Sequence, residues 1–324
     1  MIRKLTILES TGVDPYENLA TEEELLACLE EEEIILYLWQ NENTVVIGRH
    51  QNAYRECNVE YLEQKGHIAR RLSGGGAVYH DEGNLNFTFV VRKKDYSVKR
   101  QLEVILAAVC SLGIQAAMTG RNDLELYRGG TSYKFSGNAF YEPKREGNPA
   151  FYHHGTLLYN VDTDSLSKAL HVSKAKLSSK GVASVKSRIR NLKQEVPSLT
   201  LRQLKDAMIV SAQKEYGCMA EGFDQSRINQ ERWQARTKEL GSKPWIFGKD
   251  PAYTLIEEIK TDRGEFQIHI RVDKGLIKEV RVHSDCLDEE LPGMMEEALA
   301  GLWYGSKEYR ACIRKFTEGK DEKL

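Results

Sequence analysis

Short β-rich runs, interrupted by helices at irregular intervals, constrain the fold of this 324-residue chain more than any other feature. Strands are predicted near 2–8, 34–39, 44–47, 67–72, 76–80, 84–91, 115–118, 123–127, 131–140 and 150–160. Helices are predicted at about 15–31, 98–112 and 200–215. Strands and helices do not alternate regularly, which disfavours a doubly wound parallel sheet. The pattern predicts an α+β fold with a large mixed or mostly antiparallel sheet.

Two local patterns in the first half carry further structural expectations. Residues 34–39 and 44–47 flank the polar stretch 40–43, a spacing that predicts a hairpin. On the first helix, the acidic clusters 22–24 and 30–33 surround leucines at helical spacing, so these carboxylates are predicted to lie on a solvated face.

The length favours two domains. The polar stretch ending in Gly241-Ser242-Lys243-Pro244-Trp245 is a plausible junction, and beyond it strands near 253–259, 264–272 and 276–283 are joined by Asp-Arg-Gly and Asp-Lys-Gly turns. A helix is predicted after Asp288. We therefore expect a large catalytic domain at 1–238 and a small α+β accessory domain at 239–324.

Composition excludes several classes of protein. Lysine and arginine total 46 against 48 acidic residues, a net charge of -2, so nothing global points to nucleic acid or a membrane surface. The sequence shows neither a bilayer-length apolar run nor a signal peptide, which predicts a cytoplasmic protein. The six cysteines form no Cys-x-x-Cys pair and are expected to be reduced thiols.

The most unusual stretch is Ala69–Asp81, with three successive glycines at 74–76. Without Cβ atoms the backbone can turn several N–H donors toward one anion, and phosphate is the natural guest. The pattern is neither a Walker loop nor a dinucleotide fingerprint. The flanking Arg70 and Arg71 favour an anion site over a plain flexible turn.

Three further groups are candidates for chemistry. Lys134, Ser136 and Asn138 share one face of a predicted strand, so Lys134 could stabilise charge beside a phosphoryl centre. Asp123 is a candidate ligand for a divalent cation that bridges phosphates. His153 and His154 lie on opposite faces of their strand, and at least one is expected to be structural.

The clearest local charge feature is the segment 168–193, with eight lysines and arginines and no acidic residue. It contains no aromatic residue for base stacking, which makes nucleic acid less favoured than an acidic protein surface or a nucleotide phosphate. A solvated basic face stays an equal alternative.

Taken in order, these motifs resemble those of a lipoate-protein ligase, and the resemblance spans nearly the whole chain. The motifs are Arg70–Asn84, Gly120–Asp123, Lys134–Ala139, His153–Leu158, Lys180–Arg188, Val45–Asn52 and Trp245–Lys249. The family implies a catalytic domain related to biotin ligases, followed by a small accessory domain. Its reaction has two steps: lipoate and ATP give lipoyl-adenylate, and the lipoyl group then passes to a carrier lysine.

The resemblance also implies residue roles. Lys134 would contact the lipoyl carbonyl and the phosphate as an electrostatic clamp, and Val45 and Val46 could line the acyl tunnel. ATP and lipoyl-adenylate would be bound by Arg71, Ser73, Gly74, Gly75, Gly76, Ala77, Val78, Tyr79, Asn84, Asp123, Lys134, Ala139 and His154. Mg²⁺ is implied, with Asp123 as its ligand.

Expected partners follow from the family as well. These are lipoyl domains of 2-oxoacid dehydrogenase E2 subunits and the glycine cleavage H protein, with Lys186, Arg188 and Arg190 as docking residues on acidic carriers. Neither nucleic acid nor membrane is expected as a partner, and the expected state is a monomer.

Three alternatives stay open on the sequence. A lipoyltransferase or amidotransferase without its own adenylation step would use the same fold, although no cysteine lies in the glycine loop or the Lys134 strand to serve a thioester route. A biotin ligase would be expected to carry an arginine-rich glycine loop. A non-catalytic carrier-binding protein is disfavoured because Lys134, Arg71 and the full loop are present.

Overall fold

The computed structural model describes residues 2–119, 123–143, 149–171, 189–247, 255–273 and 275–317. The helices are α1 (Pro15–Cys28), α2 (Ala53–Glu56), α3 (Val59–Lys65), α4 (Val98–Ser111), α5 (Thr163–Ala169), α6 (Leu201–Tyr216), α7 (Gln230–Leu240), α8 (Lys243–Phe247), α9 (Leu291–Leu299) and α10 (Lys307–Thr317). Within these ranges, no helix is both long enough and apolar enough to cross a bilayer.

The strands fall into four sheets. They are β1 (Lys4–Glu9), β2 (Glu33–Trp39), β3 (Thr44–Ile47), β4 (His67–Arg70), β5 (Val78–His80), β6 (Asn84–Arg92), β7 (Ala116–Thr119), β8 (Asp123–Arg128), β9 (Thr131–Ser136), β10 (Asn138–Tyr141), β11 (Ala150–Leu158), β12 (Ala220–Gly222), β13 (Leu255–Thr261), β14 (Gly264–Asp273) and β15 (Leu276–Ser284).

The largest sheet has six strands in the order β10-β11-β6-β2-β1-β12. β1 runs parallel to both β2 and β12, and the remaining pairs are antiparallel. The predicted α+β class with a mixed sheet is therefore confirmed.

The two faces of this sheet differ because side chains alternate along each strand. Leu36, Phe87 and Phe89 point to one face and pack against α4 and α6 in a large apolar core. Tyr37 and Trp39 point to the other face, toward α1 and a small second sheet. The site described below lies on this second face.

The second sheet has the order β4-β3-β5. The predicted hairpin of 34–39 with 44–47 is wrong: β2 belongs to the six-stranded sheet, whereas β3 pairs in parallel with β4 and antiparallel with β5. Both strands are fully buried, so each finds its partners in a separate layer rather than in its neighbour along the chain.

A third sheet, β7-β8-β9, carries Lys134 on its edge strand. Glu125 of β8 pairs with Lys134, and the chain at Ile189 forms a parallel bridge to Lys134 from the other side. The described end of the basic run, from Ile189 onward, thereby lies next to the strand of Lys134.

Helix α1 begins where the sequence predicts. The Asp14 side chain accepts hydrogen bonds from the backbone N–H groups of Tyr16 (2.8 Å) and Glu17 (3.0 Å), and Pro15 is the first helical residue. The prediction that its acidic clusters are solvated is wrong for Glu22, Glu24 and Glu33, which are buried.

The buried carboxylates have partners from distant parts of the chain. Arg232 of α7 binds Glu24 (2.7 Å), and Arg227 binds Glu33 (2.6 Å). Paired in this way, a buried charge can be accommodated.

The C-terminal unit is the predicted three-stranded meander, β13-β14-β15, covered by α9 and α10 over its own core. Ahead of it, Leu240 and Ile246 are buried against the first unit rather than in this core. The chain through Phe247 thus packs with the larger unit.

Candidate active site

A cavity of about 240 Å³ lies between the six-stranded sheet and the small sheet β4-β3-β5. It is lined by Leu19, Trp39, Val46, Arg71, Gly75, Gly76, Ala77, Val78, His80, Asn86, Lys134, Gly137, Asn138, Ala139, His154, Gly155, Thr156, Asp285 and Leu287. One part of this wall is apolar, and the other carries a lysine, an arginine and the glycine loop. Such a cavity suits an amphipathic acid whose charged end is to react.

The glycine loop depends on the absence of side chains. Gly75 has a φ of 87°, in the left-handed region that favours glycine. A Cβ at Gly74 would lie 2.6 Å from the carbonyl oxygen of Cys286, so the C-terminal unit packs directly on this bend. The Gly75 N–H donates to the same carbonyl oxygen at 2.8 Å. The C-terminal unit therefore accepts a hydrogen bond from the backbone of the loop.

Arg71 holds the loop in shape. Its guanidinium donates to the backbone oxygens of Val46 (3.1 Å), Gly74 (2.7 Å) and Gly76 (2.8 Å), and burial lowers its pKa to about 10. The positive charge thus lies directly behind the loop and lines the cavity. Its neighbour Arg70 points away, to the carbonyls of Gln51 and Ile246, so the two arginines do not form one fork.

A hydrogen-bonded chain fixes the loop from the six-stranded sheet. Ser73 Oγ lies 2.7 Å from His154 Nε2, and His154 Nδ1 lies 2.9 Å from Glu22 Oε1. Thr88 donates to Glu22, and Arg71 Nε donates to Ser73 Oγ at 3.0 Å. Sequence reasoning missed Glu22. Its position three residues after Leu19 and three before Leu25, on the apolar stripe of α1, was the signal that it faces inward.

Lys134 reaches the same cavity from β9. A Cβ at Gly137 would lie 3.2 Å from Lys134 Nζ, so the small residue at 137 makes room for the amine. Gly137 N–H donates to Thr156 Oγ1 at 3.2 Å, which ties the lysine strand to β11. Lys134, Asn138 and Ala139 all line the cavity, whereas Ser136 is buried outside its wall.

The two histidines of β11 lie on opposite faces, as strand geometry predicts. His154 lines the cavity, while His153 lies in the apolar core with its Nδ1 at 2.9 Å from Gln101 Oε1. Burial lowers the pKa of His153 to about 3, so it is neutral.

Several predicted site residues support the cavity wall without lining it. Ser73 and Gly74 do not line the cavity, and Asn84 donates to Asn86 Oδ1 at 2.8 Å. Tyr79 points to the opposite face of the small sheet, where its hydroxyl donates to Asn43 Oδ1 at 3.0 Å. Val45 also faces that side, so of the two valines only Val46 lines the cavity.

The remaining predictions concern the cation and the basic run. Asp123 begins β8, and its backbone pairs with Thr119. In the part of the chain that the structure describes, no group of three His, Cys, Asp or Glu side chains could hold a metal ion. Lys186 and Arg188 lie outside the described residues. Arg190 pairs with Glu195, and its guanidinium lies 5.5 Å from the Tyr133 ring centre.

The C-terminal unit contributes residues that the sequence did not suggest. Asp285 and Leu287 line the cavity, and the carbonyl oxygen of Glu289 lies 2.7 Å from His50 Nε2. Burial raises the pKa of the Glu289 carboxyl to about 9, although Arg49 and Arg71 act in the opposite direction. The segment 284–289 therefore covers the loop with a carboxyl group that is protonated at neutral pH.

Cys286 lies next to the glycine loop, although it is more than 200 residues away in the sequence. Its backbone contacts Gly75, but its sulfur atom lies 3.2 Å from the carbonyl oxygen of Asp288 and does not line the cavity. Burial raises the pKa of this thiol to about 11, which makes it a poor nucleophile.

The geometry points to a class of protein: the cavity combines a glycine loop, a lysine and a buried arginine with apolar side chains, which suits an enzyme that acts on an amphipathic anion. A family model described as the lipoyl protein ligase A/B catalytic domain matches residues 14–213, and one described as the bacterial lipoate protein ligase C-terminus matches 250–321.

Known proteins agree with these matches. The lipoate-protein ligase A of Bdellovibrio bacteriovorus is 34% identical, covering 100% of this chain and 95% of that protein. A crystal structure of P. falciparum LipL1 in complex with lipoate is 27% identical, with a TM-score of 0.79 over 97% of this chain and 94% of that one. A bi-partite lipoate protein ligase from Thermoplasma acidophilum, described with its E2 lipoyl domain, is 25% identical, with a TM-score of 0.63 over 79% of this chain and 100% of that one.

The chain belongs to the lipoate-protein ligase family. It is an ATP-dependent ligase that activates lipoate and transfers the lipoyl group to protein, so the resemblance is confirmed and the transferase without adenylation is not favoured.

Proposed function

We propose that both half-reactions take place in the cavity between the two sheets, with Lys134 as the principal catalytic residue. The observation that carries this proposal is that Lys134, Gly75 and Gly76 line one cavity together with the apolar side chains of Leu19, Trp39 and Val46. The charged end of lipoate and the α-phosphate of ATP would meet at the lysine, and the acyl chain would extend along these apolar side chains.

In the first step a carboxylate oxygen of lipoate attacks the α-phosphorus, the bond to the leaving pyrophosphate breaks, and lipoyl-adenylate forms. The Lys134 ammonium stabilises the negative charge that develops on the phosphoryl oxygens and holds the acyl carbonyl in line. In the second step a carrier lysine, as the free amine, attacks that carbonyl and AMP leaves. The incoming amine is itself the nucleophile, so no covalent enzyme intermediate is needed.

The glycine loop would bind the nucleotide phosphates through backbone N–H groups, with the Arg71 charge behind them. We assign nucleotide or adenylate contacts to Gly75, Gly76, Ala77, Lys134 and Ala139. The sequence predicts nucleotide or adenylate contacts for six further residues as well. We propose that they act through their backbone or by shaping the cavity wall: Ser73, Gly74, Val78, Tyr79, Asn84 and His154.

Mg²⁺ would enter with ATP, because this ion usually keeps several waters and takes only one or two protein carboxylates beside the phosphates. Asp123, at the start of the strand beside Lys134, is the carboxylate we propose. The bound ion would neutralise charge on the pyrophosphate.

Carrier recognition is assigned to the basic run and in particular to Lys186, Arg188 and Arg190. The Arg190 backbone N–H donates to the Lys134 carbonyl oxygen at 3.0 Å. This short distance supports docking of the carrier close to Lys134. The carriers proposed are acidic lipoyl domains, such as those of 2-oxoacid dehydrogenase E2 subunits and the glycine cleavage H protein.

The organisation of the protein is also part of the proposal. We assign a catalytic unit and an accessory unit, and the packing of Leu240 and Ile246 favours a boundary after Phe247 rather than at 238/239. A monomer acting in the cytoplasm is proposed.

The decisive experiment incubates the pure protein with ATP, magnesium and lipoate and looks for the mixed anhydride by mass and for pyrophosphate in solution. Formation of both supports adenylation in this chain. If lipoyl-adenylate supplied from outside is transferred to a carrier but none is made from ATP, the chain is a transferase only.

A further inference from the structure

The cavity of the proposed active site has two chemically distinct ends. Trp39 of β2 pairs with Asn86 of β6, and Asn86 pairs with Thr156 of β11, so the three side chains form one row across the sheet. All three line the cavity. At about 4.8 Å per strand this row spans about 10 Å. Lys134 lies at the Thr156 end, and His80 contacts Trp39 at the other end, with 6.0 Å between ring centres.

A chain of hydrogen bonds determines which nitrogen of His80 carries the proton. Tyr37 OH donates to Asn18 Oδ1 (2.7 Å), and Asn18 Nδ2 donates to Asn41 Oδ1 (3.0 Å). Asn41 therefore presents its Nδ2, which can only donate, to His80 Nδ1 at 3.1 Å. Burial lowers the pKa of His80 to about 3, so the ring is neutral and its proton is on Nε2.

That Nε2–H donor is buried and has no partner among the described residues. His80 as a whole is 3% exposed. A buried donor left without an acceptor is costly, so one facing a ligand cavity points to a ligand that supplies the acceptor.

Asn86 presents a second such donor in the same row. Asn84 Nδ2 donates to Asn86 Oδ1 at 2.8 Å, and Asn86 Nδ2 has no partner among the described residues. The side chain is buried, with 1% exposure. The remaining wall here is apolar, formed by Leu19, Val46 and Val78.

We infer that His80 Nε2–H and Asn86 Nδ2–H donate to the sulfur atoms of the lipoate dithiolane ring and make the enzyme select lipoate over straight-chain fatty acids of similar length. The inference rests on the proposed placement of the carboxyl group at Lys134, from which the pentanoyl chain carries the ring along the row. Divalent sulfur is a weak acceptor, whereas an alkyl chain offers none and leaves both donors unpaired.

The test compares lipoate, octanoate and cyclopentane-pentanoic acid, which keeps the ring size but lacks sulfur. The wild-type enzyme is expected to form the adenylate of lipoate with a kcat/KM roughly tenfold higher than that of the carbon-ring analogue. Equal values for these two acids would overturn the inference even if adenylation itself is intact. No adenylate with any acid would instead overturn the proposed function.

Variants assign the effect to the two residues. Asn86→Leu, which has nearly the same shape, is expected to reduce the preference of lipoate over the carbon-ring acid at least severalfold, mainly by improving use of the latter, and His80→Phe should act in the same direction. Lys99→Ala, at an exposed position of α4 away from the cavity, should leave the ratio unchanged. An unchanged ratio in folded Asn86→Leu and His80→Phe would overturn the inference, and the wild-type comparison decides the matter if neither variant folds.

Discussion

The two faces of the six-stranded sheet are built from the same strands but have opposite chemistry. On β6, Phe87 and Phe89 enter the apolar core, while Asn86 on the other face lines the cavity and Thr88 donates to Glu22. Both sets are buried, with exposures of 0–1%. Burial therefore does not distinguish core from site here.

The adjacent histidines of β11 make the same contrast at one position of the sheet. His153, among aromatic side chains, has a neutral amide partner, whereas His154 lies between the Glu22 carboxylate and Ser73. One residue type serves packing on one face and positions the glycine loop on the other. The lesson is that His154 takes its partners from α1 and the glycine loop, whereas His80 and Asn86 on the same face keep buried donors without a partner among the described residues.

The largest effect is expected for Lys134→Ala, which removes the ammonium from the cavity but takes nothing from the apolar core. Adenylate formation should fall by about 10²- to 10³-fold or more, because charge developing on the phosphoryl group loses its stabilising partner. Pyrophosphate release and mass detection of the adenylate measure this. Lys99→Ala on exposed α4 is the matched control; near-wild-type activity of Lys134→Ala would remove Lys134 from the mechanism.

The substitutions Glu22→Gln and His154→Gln test the difference between the two histidines of β11. Each interrupts the chain that positions Ser73, and kcat/KM for adenylation should fall by about 10- to 100-fold, equivalent to a charged hydrogen bond of about 1.5–3 kcal/mol. Steady-state kinetics with thermal unfolding separates this from loss of fold. Wild-type kinetics in both variants would show that the chain is not needed for activity.

The third prediction concerns the carrier domain, which must reach the cavity to receive the lipoyl group. Neutralising Lys186, Arg188 and Arg190 together should lower transfer to an acidic lipoyl domain by about tenfold at low salt, with adenylate formation nearly unchanged, because steering charges act on association. The difference from wild type should shrink as ionic strength rises. Equal loss in both half-reactions would assign these residues to the nucleotide.

Substitutions on the core face of the six-stranded sheet are expected to have the smallest effect on activity. Their effect on stability can be measured separately. His153 stays neutral in the folded protein down to a pKa of about 3, whereas the unfolded chain takes up a proton below about 6.5. Its contribution to stability is therefore complete above pH 6.5 and is lost as the pH falls from 6.5 toward 3, by about 1.4 kcal/mol per pH unit.

Replacing both partners, as in His153→Phe with Gln101→Leu, should remove this dependence and leave adenylation at pH 7 within about twofold. Urea unfolding at pH 7 and pH 5 should show that the loss of stability on acidification is about 2 kcal/mol smaller than in wild type. An unchanged loss would mean that other groups, such as His80 or His50, account for the acid sensitivity.

Strand positions were predictable because period-two apolar patterns survive in the sequence: β6 at 84–92 and β11 at 150–158 lie close to the predicted runs. Pairing was not predictable to the same degree. The expected hairpin of β2 with β3 failed because two fully buried strands carry no alternation that specifies which layer each joins.

Sequence reasoning singled out Lys134 and the glycine loop, which line the cavity, and missed the residues that support them. Lys134 and the glycine loop are recognisable because few residue types can do their chemistry. Glu22 was hidden in an acidic cluster, since its role depends on His154, 132 residues away. Asp285 and Leu287 come from the other unit, and no local pattern connects them to the loop.

The sequence by itself determined the class of reaction and the family, because these depend on residue types in a fixed order along the chain. Only the tertiary structure decided which of two neighbouring side chains faces the cavity, which nitrogen of His80 keeps its proton, and which part of the C-terminal unit covers the loop. The physical reason is that hydrogen bonds and packing act over a few ångströms between groups far apart in sequence, and only folding brings those groups together.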